Sequence, residues 1–183
     1  MGDAKEEFSM PKGEWFDVVD ALDHPIGREL REEVHRRGLF HRAVHVFVLD
    51  GDDLMVVQRR SSNKDTAPGL WCSSCSGHLD AGEDYLVATV RELREELGLA
   101  TSPEALRQIL MTNPCLQTGW EFTTVYFLRA DGPFAFAPDE ITELRQLPLD
   151  ELDDWLVTAP EEFSPSFRHL YRLGRLCLPF ITS

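Results

Sequence analysis

A chain of 183 residues is long enough for one domain with a substantial core and short for two. It is 43% hydrophobic and 27% charged, as in an ordinary soluble globular protein, and its formal net charge of -14 excludes bulk attraction to nucleic acid polymers. Any phosphate-binding function must therefore rest on a local basic patch, on metal ions, or on both. No apolar run approaches the roughly 20 residues of a membrane span, and Met1 to Lys12 lacks the apolar centre of a signal peptide. A cytoplasmic protein with no membrane partner is expected. Its four cysteines, Cys72, Cys75, Cys115 and Cys177, are then expected as thiols. Cys72 and Cys75 have zinc-ligand spacing, but no second pair follows them.

Trp15 to Asp20 reads as a short strand closed by a turn at Asp23-His24-Pro25, and Glu29 to Arg37 as a helix stopped by Gly38. Ala43–Leu49 and Leu54–Gln58 are β-rich runs flanking Asp50-Gly51-Asp52-Asp53, the pattern of a hairpin. Arg59 to Asp80 reads as a long loop, and long loops in compact domains are more often functional than idle. A helix is predicted from about Asp84 to Leu97, ended by Gly98. Strands follow at 107–112 and 122–129, then helices at Leu149–Val157 and Ser166–Leu176, the last starting near Ser164 and Pro165. No repeat or low-complexity linker interrupts the chain, so one mixed α/β domain spanning 1–183 is the economical reading.

At 100° per residue, Leu86, Val90, Leu93 and Leu97 form the face of the central helix expected to pack on a sheet. Glu92, Glu95 and Glu96 are expected on the far side. Each like-charged pair there costs a few tenths of a kcal/mol (about 0.2–0.5), so a cation is expected against them, and hard oxygen ligands point to Mg²⁺ or Mn²⁺. A merely solvated acidic face would be the bland alternative, but the surroundings weigh against it. Gly77, Glu83, Arg91-Glu92-Leu93, Glu95-Glu96 and Gly98-Leu99 reproduce, without a mismatch, the spacing of the Nudix box. At ordinary residue frequencies a chance match at a given start is on the order of 10⁻⁹.

The chain thus resembles the Nudix hydrolase superfamily, and the resemblance implies an α/β/α sandwich with a mixed central β-sheet. It implies a catalytic core at about 40–160, the box at 77–99, and an N-terminal strand and helix extension over 1–39. By the same resemblance Glu92, Glu95 and Glu96 hold the metal and act in catalysis, one of them, with Glu92 the first choice, taking the proton of the attacking water. Glu121 and Glu140 are candidates to join the metal. Glu83 and Arg91 brace the loop, and Gly77 and Gly98 permit tight turns.

Similarity outside the box, at His41-Arg42-Ala43, Gln58-Arg59-Arg60, Lys64, Pro68-Gly69-Leu70-Trp71 and Gly77-His78, is to the branch that includes type I isopentenyl-diphosphate isomerases. In that branch the Arg60 and Lys64 positions clamp a substrate diphosphate. The isomerases also need a cysteine, a tryptophan, a glutamate and histidine metal ligands. Here the cysteine position falls on Ser76 and the tryptophan position on Ser166, while Glu121 fills the glutamate position. His41 and His78 match metal ligands, but the third has only His35 nearby, one residue out of register, and a further glutamate position falls on Gly119. A serine is too weak an acid to replace a thiol. His41, His45 and His78 are accordingly read as hydrogen-bonded residues rather than a second metal site.

The expectation is a Mg²⁺-dependent pyrophosphohydrolase acting on a small nucleoside diphosphate-like molecule. The alternatives are an isomerase of the related branch and a nucleotide-sensing module, which usually loses a box glutamate; this chain has lost none. Trp15, Trp71, Trp120 and Phe122 are candidates to stack on a base, and the N-terminal strand would permit a homodimer.

Overall fold

The structure, a computed structural model, describes residues 13–178; the segment read above for a signal peptide lies outside them. Its central strand explains the layering. Strand β3 (His41–Leu49) is buried almost throughout and so reads as a continuous apolar run. Alternation sends Val44, Val46 and Val48 to one face, against Leu93 and Leu97 of helix α2 (Tyr85–Leu97). Phe47 and Leu49 go to the other face. There they meet Leu152 of α3 (Leu149–Thr158) and Phe167, Leu170 and Tyr171 of α4 (Pro165–Gly174). An α/β/α sandwich results.

The central sheet is mixed. Strand β8 (Glu121–Arg129) lies parallel to β3, and β7 (Arg107–Thr112) runs antiparallel to β8. Strand β4 (Met55–Arg60) follows β3 through a turn in which the Asp50 carboxylate accepts from the N–H groups of Asp52 and Leu54. The expected hairpin holds only at Leu49–Met55. Beyond that pair β6 (Cys75–His78) occupies the edge of β3 from Ala43 to Val46, and β4 diverges to pair with β5 (Trp71–Cys72) and β9 (Ile141–Leu147).

The segment read as a loop from Arg59 to Asp80 therefore contains two short strands. Strand β9 was not foreseen either, because its charged sequence ITELRQL buries only its ends. At the N-terminus, β1 (Trp15–Val19) does not stop at the turn but pairs with β2 (Pro25–Leu30), and helix α1 (Arg31–Arg37) begins two residues later than expected. Gly38, in the left-handed region, ends α1 as expected. This hairpin is fastened over the central loop: Ala81 N–H donates to the Trp15 carbonyl and Gly82 N–H to the Asp17 carboxylate. Among the described residues no helix is long and apolar enough to cross a membrane.

Candidate active site

Helix α2 starts where Asp84 accepts from the N–H groups of Leu86 and Val87, and ends at Gly98 in the left-handed region. Ahead of it, the Arg91 guanidinium grips both oxygens of Glu83 (3.0 and 2.8 Å) and the His78 carbonyl (2.9 Å). Strand, loop and helix are thereby locked together.

The glutamates are not arranged as the periodicity predicts. Glu96 is only 5% exposed, and its carboxylate accepts from Gln58 Nε2 and Ser76 N–H, both at 3.0 Å. Glu92 is also mostly buried; burial first, and the charge of Glu96 second, push its carboxyl up to about 8. Only Glu95 faces out, held by Arg91 at 3.2 Å. Helix α2 packs against β6 as well as β3 of the sheet, so the face bearing Glu92 and Glu96 is an inner one. Gly77 makes this possible: a Cβ there would lie 2.0 Å from the Glu92 carboxylate carbon.

These groups line a pocket of about 630 Å³. Arg60, Lys64, Glu121 and Glu140 line it as well, so the structure gathers every predicted catalytic, metal and substrate residue around one space. Lys64 pairs with Glu140, and Arg60 donates to the Thr66 carbonyl (3.0 Å) and hydroxyl (3.3 Å). None of the four aromatics proposed for base stacking lines it; Trp71 and Phe122 are core residues, each 3% exposed. Phe16 does line it, and its ring stacks on His78 with centroids 4.8 Å apart.

At one end of the pocket lies a cluster that the sequence register disfavours. His41 and Glu121 are register partners on the parallel strands β3 and β8, His78 pairs with Ala43 from β6, and α1 brings in His35. Among the described residues, His35, His41, His78 and Glu121 are the one group of three or more potential metal-binding side chains whose ligand atoms all lie within 4.8 Å of one another. The box glutamates do not converge to that degree. His41 Nδ1 donates to the Leu39 carbonyl at 2.8 Å, and its Nε2 is buried without a hydrogen-bond partner, 3.6 Å from a Glu121 carboxylate oxygen. His41, His45 and His78 each make a hydrogen bond, to the Leu39 carbonyl, the Ser73 hydroxyl and the Glu121 carboxylate, as the sequence reading expects, and His41 and His78 belong to this cluster as well. His35 joins because the hairpin and α1 carry it there in space, whatever its place in a linear comparison. Burial, then the neighbouring His78 and His41, hold His35 at about 4; burial also lowers His78. The carboxyl of Glu121 is held below the usual range: burial opposes this, but its contacts with His41 and His78 prevail.

Sequence comparison missed one more group. Ser76 stands where the isomerases carry a thiol, but Cys72, from β5, places its Sγ 3.7 Å from Ser76 Oγ and 3.5 Å from Ser164 Oγ. Pairing of β5 with β4 and of β6 with β3 is what could have signalled it, and that region reads as loop.

Residues 39–171 match the family described as NUDIX domain. A relative named as an uncharacterized Nudix hydrolase, YPO2781 of Yersinia pestis, is 34% identical over 154 residues, covering 83% of this chain and 80% of its own. An isopentenyl-diphosphate Delta-isomerase of Serratia proteamaculans is 32% identical over 154 residues, covering 82% and 85%. Among solved structures, DR0079 of Deinococcus radiodurans superposes with a TM-score of 0.75 at 28% identity, over 88% of this chain and 99% of that one.

Proposed function

Since the chain belongs to the NUDIX domain family, in the branch shared by Nudix hydrolases and isopentenyl-diphosphate isomerases, we propose that it hydrolyses the diphosphate bridge of a nucleoside diphosphate-like small molecule with the help of Mg²⁺ or Mn²⁺. The observation that carries this reading is the inward pair Glu92 and Glu96, facing one pocket with Arg60 and Lys64.

The donors suit such a cation. Burial first, and the charge of Glu96 second, raise the Glu92 carboxyl to about 8, and a hard divalent ion would stabilise both carboxylates in their charged form. Glu92, Glu95 and Glu96 would hold it, with Glu121 and Glu140 within the same pocket. A bound cation would neutralise bridge charge and make water more acidic. Arg60 and Lys64 exchange their present partners, Thr66 and Glu140, for phosphate oxygens. Glu92 takes a proton from the attacking water as its oxygen bonds to phosphorus; the bridging P–O bond breaks, and the bridge oxygen leaves with the second phosphate. Gln58 and Ser76 N–H fix Glu96 meanwhile. Substituting Glu95→Gln or Glu96→Gln is expected to lower Mg²⁺-dependent phosphate release by orders of magnitude without unfolding the chain; full activity in both would defeat the reading.

A second reading has specific support. The cluster of His35, His41, His78 and Glu121 would hold a divalent metal in an isomerase of the related branch, and the Cys72 thiol lies beside the position that the sequence leaves to Ser76. Isomerisation of isopentenyl diphosphate is therefore assayed beside hydrolysis. Ser166, where the isomerases have tryptophan, and the unbroken box favour hydrolysis.

A further inference from the structure

Helix α4 turns Phe167, Leu170, Tyr171 and Gly174 into the core. Its opposite stripe, at positions i, i+3, i+4 and i+7, is Pro165, Arg168, His169 and Arg172. This stripe forms one wall of a second cavity, of about 800 Å³, and Leu156 and Val157 of α3 contribute to another. Gln117 and Pro165 line both this cavity and the active-site pocket, so the two spaces are adjacent.

The charge there is unusual for so acidic a chain. Several arginines elsewhere on the surface have carboxylate partners, as Arg28 has Asp17, Arg36 has Glu33 and Arg129 has Asp53, whereas exposed Arg94, like Arg168 and Arg172, has no ion pair among the described residues. Of the described residues lining the cavity only Asp153 is a carboxylate, and it already accepts from Tyr171 (2.8 Å) and Arg175 (3.0 Å). Arg168 and Arg172 form no ion pair among the described residues. Two like charges one helical turn apart weaken a helix slightly; Arg172 lies in the last turn, where a cation is favoured, but helix stability gives no such reason for Arg168. Next to these cations stand Val157 (80% exposed) and Leu176 (76% exposed), apolar surface that a flat or aliphatic body would cover.

We propose that this cavity is the subsite for the far end of the substrate, a nucleoside-like body bearing its own phosphate ester remote from the bridge that is cut. Its volume lies in the range of small-molecule sites. Arg168 and Arg172 would hold the remote phosphate, and Leu156, Val157 and Leu176 would meet the apolar body. The substrate class is then a coenzyme- or dinucleotide-type diphosphate with an additional phosphate monoester. This rests on the hydrolase reading above for the bond that is cut.

The test compares kcat/KM on two pairs that differ only in a remote phosphate: coenzyme A with dephospho-coenzyme A, and NADP⁺ with NAD⁺. At least one pair is expected to show a preference of about tenfold or more for the phosphorylated member, the size of a charge-assisted contact. The double variant Arg168→Gln/Arg172→Gln, checked by its melting temperature, should bring that ratio close to one. Equal rates within both pairs, or a preference that survives in the variant, overturns the proposal. If no compound is hydrolysed, the hydrolase reading fails and the cavity is tested by calorimetric titration with adenosine 3′,5′-bisphosphate. Binding that the double variant weakens about tenfold supports the subsite, and absent or unaltered binding overturns it.

Discussion

Gly77→Ala tests whether the position of Glu92, and not simply its presence, governs activity. The added Cβ would stand 2.0 Å from the Glu92 carboxylate carbon and 2.1 Å from Oε1. Ordinary contact begins at 3.4 Å, so the carboxylate must retreat by about 1.4 Å (3.4 - 2.0), or β6 must move by as much. Backbone strain does not enter, since Gly77 is not among the residues with positive φ. The displaced carboxylate would lose its 2.7 Å contact with Arg91 Nη1. Overpacking of this kind costs about 1–3 kcal/mol of stability, whereas a displacement of about 1 Å at a reacting group lowers the rate on the order of 100-fold. Melting of the variant should therefore fall by several degrees at most, while kcat for Mg²⁺-dependent phosphate release falls about two orders of magnitude. A Gly77→Ala enzyme within about threefold of the parent kcat would refute the reasoning.

Three other predictions concern separate parts of the molecule. Glu92 takes up its proton more readily folded than unfolded, so in the metal-free protein its own contribution to stability is complete below its ordinary value of 4.5 and is lost as pH rises through about 8; Mg²⁺ should raise the melting temperature more at pH 9 than at pH 6, and an equal rise would contradict the site. His45 is held at about 4, chiefly by burial, against an ordinary value of 6.5, so its contribution is complete above 6.5 and disappears as pH falls towards 4. The ceiling is about 3 kcal/mol, and His45→Gln should flatten that part of the acid denaturation curve. Arg60→Gln should raise KM about tenfold with a smaller effect on kcat, because its guanidinium meets phosphate in ground and transition states alike; an unaltered KM would remove Arg60 from substrate binding.

Helix α2 is legible residue by residue, because Asp84, Gly98 and the leucine spacing act locally. The layered fold is legible too, through the continuous apolar strand β3 and the capped helix α4. What escapes is decided by partners distant in the chain. Strands β5 and β6 are too short to carry an alternating pattern, and they exist because the edges of β4 and β3 accept them. Strand β2 exposes most of its side chains and is held by β1 alone. The same limit applies to the site. Periodicity locates Glu92, Glu95 and Glu96 on one side of α2, but it does not show that β6 covers that side and turns Glu92 and Glu96 inward. Nor does a linear register reveal that α1 brings His35 to His41, or that β5 sets the Cys72 thiol beside Ser76.

The central claim is metal-dependent hydrolysis at the box, and the most direct measurement follows both reactions of the branch with one preparation. Phosphate release is measured with and without Mg²⁺ over nucleoside di- and triphosphates, dinucleotides, sugar nucleotides, coenzyme A and thiamine diphosphate, beside the isomerisation of isopentenyl diphosphate. The account predicts Mg²⁺-dependent release from at least one compound, lost in Glu96→Gln, and no isomerisation. Isomerisation with no hydrolysis of any compound would contradict it.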